Sequence, residues 1–205
     1  MKTITRITLL ATIFFLTSCA EVFYSPDAKK LAVSQKNIAI LPPDVSLKPR
    51  NEIDAETLKE QQRTESLNIQ REIYGWMLKR KSQGKIDKEI QQIETTNAKL
   101  QKAGYPETPL TTSEMCQLLE VDGIMTSNFR LSKPLSEGAA VALGLVIGVW
   151  GPTNEVNVSM SINDCQNDKL IWNYKHNMSG SVGSDTPEVV DRLMRNASRK
   201  MPYFK

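Results

Sequence analysis

Three cysteines and one histidine are the residues of this chain best suited to covalent or acid–base chemistry. The first cysteine closes an amino-terminal segment in which Lys2 and Arg6 precede an apolar run, Ile7 to Leu16, and then Thr17-Ser18-Cys19. The run is shorter than the roughly 20 apolar residues that a membrane-spanning helix needs, and it has the length of a signal peptide. A thiol at this spacing can carry diacylglycerol, so we predict cleavage before Cys19 and lipid attachment to it. The competing interpretation is an ordinary secretory signal with an incidental cysteine.

Ala20 follows the predicted anchor residue. Aspartate at that position would favour retention in the inner membrane of well-studied Gram-negative bacteria, so we expect the outer membrane. The folded part would then lie in the periplasm or at the cell surface. A single acyl chain binds a membrane weakly, but the several chains of a mature lipoprotein, such as palmitate, anchor it stably.

Cys116 and Cys165 remain after the anchor residue. The bacterial envelope permits disulfides, so they either form a bridge or stay as two buried, unpaired cysteines. A cysteine nucleophile needs a histidine partner, and nothing around either residue marks an activated thiol. The single histidine, His176, lies in or just after a predicted strand. We interpret it as a surface or core residue rather than as a catalyst or ligand.

Known catalytic patterns are missing from the sequence. It contains no G-x-S-x-G, no phosphate-binding glycine loop and no H-E-x-x-H, and no group of residues has the spacing of a zinc or calcium site. We therefore predict no catalytic residues, no metal and no cofactor. The alternative is an envelope hydrolase in which Glu114, Asp122 and Asp164 converge in space. A structure without a cleft that gathers at least two of these acids would eliminate it.

The charge of the mature chain is close to neutral. Loss of residues 1–18 removes Lys2 and Arg6 from the 26 basic residues and none of the 23 acidic ones, which leaves 24 basic against 23 acidic residues. This balance lacks the basic excess of nucleic-acid-binding proteins, so we expect no nucleic-acid partner. The remaining length suits one domain with a sizeable core.

One segment, residues 138–150, is apolar throughout and is unlike an ordinary core element. As a helix it would be about 20 Å long, which is shorter than the roughly 30 Å core of a bilayer. Three interpretations stay open: burial within the domain, a contact surface for a partner or a second copy, or a segment that dips into the bilayer. The contact residues that we predict on it are Val141, Leu143, Leu145, Val146, Ile147, Val149 and Trp150.

Periodicity outlines the elements of the amino-terminal half. We predict a lipidated tether over 19–35 and a single domain over 36–205, which starts with a buried strand that Pro42-Pro43 ends. Residues 44–53 are predicted as a loop. The segment 54–103 is predicted as two helices separated near Gly84, the second of which carries Ile86, Ile90, Ile93 and Leu100. The helices either lie on a sheet, which we favour, or form a hairpin or short coiled-coil arm.

The carboxy-terminal half contains clearer signals. Thr111-Thr112-Ser113-Glu114 fits a capping box before a short helix, and residues 124–131, which are rich in Ile, Met, Thr and Phe, are predicted as a strand. Residues 156–162 and 170–174 each alternate apolar and polar side chains around a polar turn, which predicts a hairpin, and Asp185 caps a last helix. The order predicts an α/β (α+β) fold: a mixed β-sheet of about four or more strands with helices packed on it, plus the long helical segment 54–103.

Four local matches, in this order, resemble a family of envelope lipoproteins. Their α/β domain is like the amino-terminal domain of TolB and the periplasmic domain of the curli-secretion channel lipoprotein. The matching segments cover about two-thirds of the chain, and they are Lys36–Pro43, Leu119–Met125, Val158–Trp172 and Lys200–Tyr203. The resemblance implies a non-enzymatic envelope protein that is often part of a larger assembly.

These observations favour a membrane-anchored, non-enzymatic lipoprotein that acts as a binding or scaffolding module of the envelope. Its partners would be the membrane, through the lipid anchor, and a second copy or an envelope protein, which residues 138–150 would contact. One alternative is an auxiliary subunit of an envelope transport or secretion system. The other is the hydrolase described above.

Overall fold

The computed structural model describes residues 20–48, 54–131, 154–180 and 185–204. Within these ranges the strands are β1 (Glu21–Tyr24), β2 (Asn37–Ile40), β3 (Asp44–Leu47), β4 (Glu89–Ile90), β5 (Gly123–Leu131), β6 (Asn154–Asp164) and β7 (Lys169–Gly180). The helices are α1 (Ala28–Ser34), α2 (Ala55–Ser82), α3 (Ile93–Lys102), α4 (Thr112–Leu119) and α5 (Thr186–Ser198).

All of these strands join one mixed sheet, as predicted, in the order β1-β7-β6-β5-β2-β4, with β3 also paired to β5. Strand β5 pairs in parallel with β2 and β3, whereas the β5–β6, β6–β7 and β1–β7 pairs are antiparallel. Strands β2 and β3 follow one another along the same side of β5, separated by Pro42-Pro43. Proline cannot donate a ladder hydrogen bond, so the pair of prolines divides what would be one strand into two.

One face of the sheet is covered by α1, α2 and α5, and we call it the covered face. Residues that alternate along β5 and β6, such as Met125, Phe129, Val158 and Met160, point into this core and are at most 4% exposed. Helix α5 contributes Val190, Leu193 and Met194 from one stripe, and helix α2 contributes Ile69, Ile73 and Met77. Each such side chain stabilises the fold by about 1.5–3 kcal/mol when it leaves water.

The second face is covered at one end. Ala39, Leu41 and Ile124 point to this side and pack with Leu100 of α3 and Leu119 of α4 in a smaller core. Helix α4 begins with the predicted capping box, in which Thr111 Oγ1 accepts from Glu114 N and the Glu114 carboxylate accepts from Thr111 N. The cap satisfies backbone donors that the first turn of a helix leaves free, so it fixes where α4 starts.

The amino-terminal half of helix α2 is polar, and two of the polar side chains that α2 carries make buried hydrogen bonds to the chain beside β2. Asp54 caps it by accepting from Thr57 N, and the chain turns away at Gly84, whose φ is +70°. Ser66 Oγ donates to the carbonyl of Pro43 at 2.6 Å, and Gln70 Nε2 donates to that of Ile40 at 2.8 Å. Both side chains are buried, and these hydrogen bonds to the backbone near Pro42-Pro43 satisfy their polar groups.

Three predicted elements differ from the structure. Residues 20–35, predicted as part of a tether, form β1 and α1, because β1 pairs with β7 and Ala28 and Ala32 enter the core. Residues 44–47 form β3 rather than a loop. Ile86 and Ile90 do not belong to a second helix: Ile86 bridges Phe204 and Ile90 lies in β4, because β4 pairs with β2 before α3 begins at Ile93. The four apolar residues predicted for one helix therefore belong to a β-bridge, a strand and α3.

None of the helices in the described ranges combines the length and apolar character needed to cross a membrane.

Candidate functional site

Two of the three acids proposed for catalysis line the same cleft, which has a volume of about 470 Å³. Asp122 precedes β5 and Asp164 ends β6, and the antiparallel pairing of Gly123 with Asp164 brings these strand ends together. Glu114 does not line the cleft, because its carboxylate is held in the capping box of α4. The predicted convergence is therefore partial.

Both cleft carboxylates hold the fold together through hydrogen bonds. Asp122 Oδ2 accepts from the backbone amides of Lys36 and Asn37, each at 2.8 Å. Asp164 Oδ1 accepts from Gln35 Nε2 at 2.8 Å, and its Oδ2 accepts from the backbone and side-chain amides of Asn167 at 2.9 and 2.7 Å. Asp164 is 2% exposed. These contacts fix the turn of the β6–β7 hairpin and the entry into β2, which is a structural use of both acids.

A buried polar network lies behind the cleft. The Tyr203 hydroxyl donates to Gln35 Oε1, and Lys88 Nζ donates to the carbonyl of Gln35 at 2.8 Å. Burial raises the pKa of Tyr203 well above its ordinary value, and the nearby charges of Asp164 and Asp122 raise it further. The phenol is thus kept protonated as a hydrogen-bond donor. Gly123 makes room for this network, since a Cβ there would lie 2.5 Å from Gln35 Oε1.

Cys116 and Cys165 form a disulfide in the wall of the same cleft, with their Cα atoms 5.5 Å apart. It ties α4 to the turn after β6. A bonded pair offers no thiolate, which is the nucleophilic form of cysteine. The other lining side chains are mainly amides and hydroxyls, namely Ser34, Gln35, Ser113, Gln117 and Gln166. The cleft can therefore hydrogen-bond a polar group, but it presents no ready nucleophile–base pair.

His176 lies on β7 on the covered face, opposite Val158 and with its ring centroid 5.9 Å from that of Tyr174. Its Nδ1 is buried and has no hydrogen-bond partner, and burial lowers the pKa of the imidazole. The half-buried ring packs beside Tyr174, which is consistent with its interpretation as a surface or core residue rather than a catalyst. Among the residues that the structure describes, no three His, Cys, Asp or Glu side chains are grouped so that they could hold a metal ion.

Within the described ranges, the part of the second face beyond α3 and α4 is lined by polar side chains of the central strands, and we call this surface the open face. The register places polar side chains of β5, β6 and β7 side by side in rows across the sheet. Its members are Thr126, Asn128, Arg130, Asn157, Ser159, Ser161, Asn173 and Lys175, and each is exposed or half-buried. Asp44 of β3 and Glu21 of β1 flank one row at its two ends.

Hydrogen bonds and ion pairs orient several of these side chains. Asn173 Nδ2 donates to Ser161 Oγ at 2.9 Å and to Ser159 Oγ at 3.1 Å. Asn128 Nδ2 donates to Asp44 Oδ2 at 2.5 Å, and Lys175 Nζ lies 3.4 Å from Glu21 Oε2. The result is a pre-arranged array of amides and hydroxyls with mixed charge at its edge. Such a surface suits recognition of a partner that offers hydrogen-bonding groups.

The sequence pattern alone does not identify the open face as a site, although a signal is present. Residues 155–163 alternate with a period of two, and the polar positions are mainly asparagine and serine rather than the lysine and glutamate common on solvated surfaces. The alternation predicts a half-buried strand. It does not show that the polar rows of three strands adjoin, because that depends on the register.

Several predicted site residues lie outside the described residues. They are Cys19, the proposed lipid attachment site, and the proposed contact residues Val141, Leu143, Leu145, Val146, Ile147, Val149 and Trp150. These assignments stay predictions.

No family model matches the sequence, and no curated protein matches it. Among solved structures, lipoprotein GNA1162 from Neisseria meningitidis is 9% identical, with a TM-score of 0.47 over 80% of this chain and 96% of that one. The PelC dodecamer from Paraburkholderia phytofirmans is 8% identical, with a TM-score of 0.42 over 91% and 99%. The LpoB C-terminal domain from Escherichia coli is 12% identical, with a TM-score of 0.34 over 76% and 94%.

One of these similar proteins, GNA1162, is a lipoprotein. All three TM-scores lie below 0.5, so nothing that these proteins bind or assemble into is transferred to this chain.

Proposed function

We propose that this chain is a lipid-anchored, non-enzymatic binding module of the bacterial envelope and that the open face is its contact surface. The observation that carries the proposal is how the two faces of the sheet are covered by the residues that the structure describes: among them, helices bury one face, whereas β5, β6 and β7 present rows of oriented amides and hydroxyls on the other. The anchor would be the lipid on Cys19, and the protein would be held at the outer membrane. A scaffolding role in a multi-protein assembly is the form of this function that we favour.

The chemistry of the cleft supports a binding role over a catalytic one. The carboxylates of Asp122 and Asp164 already accept hydrogen bonds from backbone and amide donors, and the cysteines are bonded to each other. His176 packs on the opposite face of the sheet from the open surface. General acid–base catalysis needs a group that can reach a substrate proton, whereas these carboxylates and cysteines already make hydrogen bonds or a disulfide within the protein.

The experiment is site-specific photo-crosslinking in the native envelope. A photoreactive amino acid replaces Asn157 or Lys175 on the open face, and in a matched control it replaces Lys79, which is exposed on α2. We expect one discrete adduct from both open-face positions and none from position 79. Ser159→Arg, which places a long cation among the rows, should remove the adduct. Identical patterns from positions 157 and 79 would refute the open face as the contact surface.

A hydrolase remains the second candidate because Asp122 and Asp164 do line one cleft. Asp122→Asn and Asp164→Asn keep one acceptor oxygen each but remove the charge. A hydrolytic activity on envelope material that disappears in both variants, while thermal unfolding shows that they are still folded, would favour it. An auxiliary role in a transport system uses the same open face, and recovery of a transporter subunit as the crosslinked partner would identify that role.

A further inference from the structure

The fold begins almost at the predicted anchor residue. Strand β1 starts at Glu21, and Ala20, the residue between it and Cys19, is partly buried against the core. Because an extended chain advances about 3.3–3.6 Å per residue, the lipid-bearing residue can stand no more than about 7 Å from the start of β1. The sheet is therefore joined to the lipid without a spacer.

Strand β1 is also an edge of the sheet. It pairs with β7 through Glu21–Lys175 to Tyr24–Trp172, and no strand in the described ranges pairs with its other side. Phe23 and Tyr24 are 50% and 47% exposed, which is unusual for large aromatic residues of a packed sheet. Neighbouring side chains of a strand point to opposite faces, so these two rings flank the edge from both sides. Tyrosine is enriched at membrane–water interfaces, and an exposed phenylalanine ring can be buried there.

Lysine side chains surround the same edge. Lys175 lies opposite Glu21, Lys169 Nζ lies 2.9 Å from Asp27 Oδ2, and the backbone carbonyl of Lys200 accepts a hydrogen bond from the Tyr24 hydroxyl. Lys30 acts on Asp27 as well, since both Lys169 and Lys30 hold the pKa of that carboxyl below its ordinary value. The side chains of Lys30, Lys169 and Lys175 thus lie near two acids, Glu21 and Asp27, and the balance of charge is positive. Anionic headgroups attract such a surplus within a Debye length of the membrane surface.

We propose that β1 and the turn after it form a membrane-docking edge that rests on the headgroups of an anionic phospholipid bilayer. In this orientation Phe23 and Tyr24 lie at the membrane–water interface, and the sheet extends from β1 away from the membrane plane. The inference depends on the lipid anchor in the proposed function, but it does not depend on the open face being a contact surface.

The test uses the full lipidated chain in vesicles of phosphatidylethanolamine and phosphatidylglycerol. A nitroxide is attached to Phe23→Cys or, as a matched control, to Leu78→Cys, a residue of α2 that is 38% exposed. Collision with oxygen, which concentrates in lipid, is compared with collision with a water-soluble nickel chelate. We expect the oxygen-to-nickel ratio at position 23 to exceed that at position 78 severalfold. The excess should shrink in vesicles without phosphatidylglycerol and in Lys169→Gln/Lys175→Gln.

Each other outcome overturns the inference. Equal, water-like ratios at positions 23 and 78 would show an edge that stays in solvent. Shielding from both reagents with spin–spin coupling between labels would show a second copy paired along β1. Flotation separates this inference from the proposed function. A chain that floats with the vesicles but has a water-like position 23 retains its anchor and lacks only the docking edge, whereas a chain that fails to float, as Cys19→Ser should, has no anchor.

Discussion

Strands β2 and β6 belong to one sheet but differ in what covers them. Ile38, Ala39, Ile40 and Leu41 are all at most 2% exposed, because helices cover both faces at β2. Along β6, Val158 and Met160 are buried, whereas Asn157 and Ser159 emerge on the open face. Parallel strands covered on both sides are continuously apolar, and antiparallel strands with one free side alternate. The sequence pattern of each strand therefore indicates which part of the sheet the fold leaves available.

The most disruptive test of this contrast is a pair of neighbouring substitutions on β5. Phe129 is 0% exposed on the covered face, so Phe129→Ala should lower the free energy of unfolding by about 3–5 kcal/mol. Asn128 lies next to it on the open face, and Asn128→Ala should cost about 1 kcal/mol or less, for the loss of one bond to Asp44. Urea unfolding measures both. Equal losses would mean that the open face is covered in the folded protein.

The second prediction concerns the disulfide that holds α4 over one end of the sheet. Replacing Cys116 and Cys165 together by alanine should lower the free energy of unfolding by about 2–4 kcal/mol, because the bridge restricts the unfolded chain. Hydrogen exchange should rise first at α4 and at Ile124 beneath it, while Phe129 stays protected. Mass spectrometry of the unreduced protein checks the bridge itself. An unchanged stability in the double variant would contradict a structural disulfide.

The third prediction uses two glycines with opposite surroundings. Gly123→Ala should destabilise the fold by about 1–3 kcal/mol, because the new methyl group meets Gln35 and Tyr203 in the buried network. Gly75 is exposed within α2, and a Cβ added there would meet no atom within 4 Å, so Gly75→Ala should stabilise the fold by up to about 1 kcal/mol. Thermal unfolding decides the signs. A shift of both variants in the same direction would contradict the placement of the network.

The smallest effect concerns pH. Burial lowers the pKa of His176 in the folded state, so the unfolded chain binds more protons as the pH falls. Stability should therefore be complete above the ordinary histidine pKa of about 6.5 and should decline as the pH falls through it. His176→Gln should flatten this part of the curve, and Lys175→Gln on the open face should leave it in place. A slope that persists without His176 would assign it to another group.

Much of the fold follows from local pattern. The strand ended by Pro42-Pro43, the capping box at Thr111, the alternating hairpin and the cap at Asp185 all lie where the sequence predicts them. Each depends on contacts within a few residues or on strict periodicity. The long helix is predictable as well, because 54–74 contains no glycine or proline.

The elements that local pattern misassigns depend on distant partners. Strand β1 is only four residues long and mostly exposed, and it is a strand because it pairs with β7. The residues of β3 resemble a loop because they follow two prolines, although Val45 and Leu47 alternate with exposed neighbours. The candidate site is harder still. The open face needs the register of three strands, and the cleft needs strand ends that are about 40 residues apart in the chain to meet.

The pairing of β1 with β7 also sets an order of events in time. Strand β1 pairs with residues that lie about 150 positions later, so the sheet cannot be completed until almost the whole chain is present. Until then β1 has no strand with which to pair. A chain truncated before β7 would leave its amino terminus without a strand partner. The β1–β7 pair can therefore form only after nearly all of the chain has been made, and it forms next to the predicted lipid attachment site.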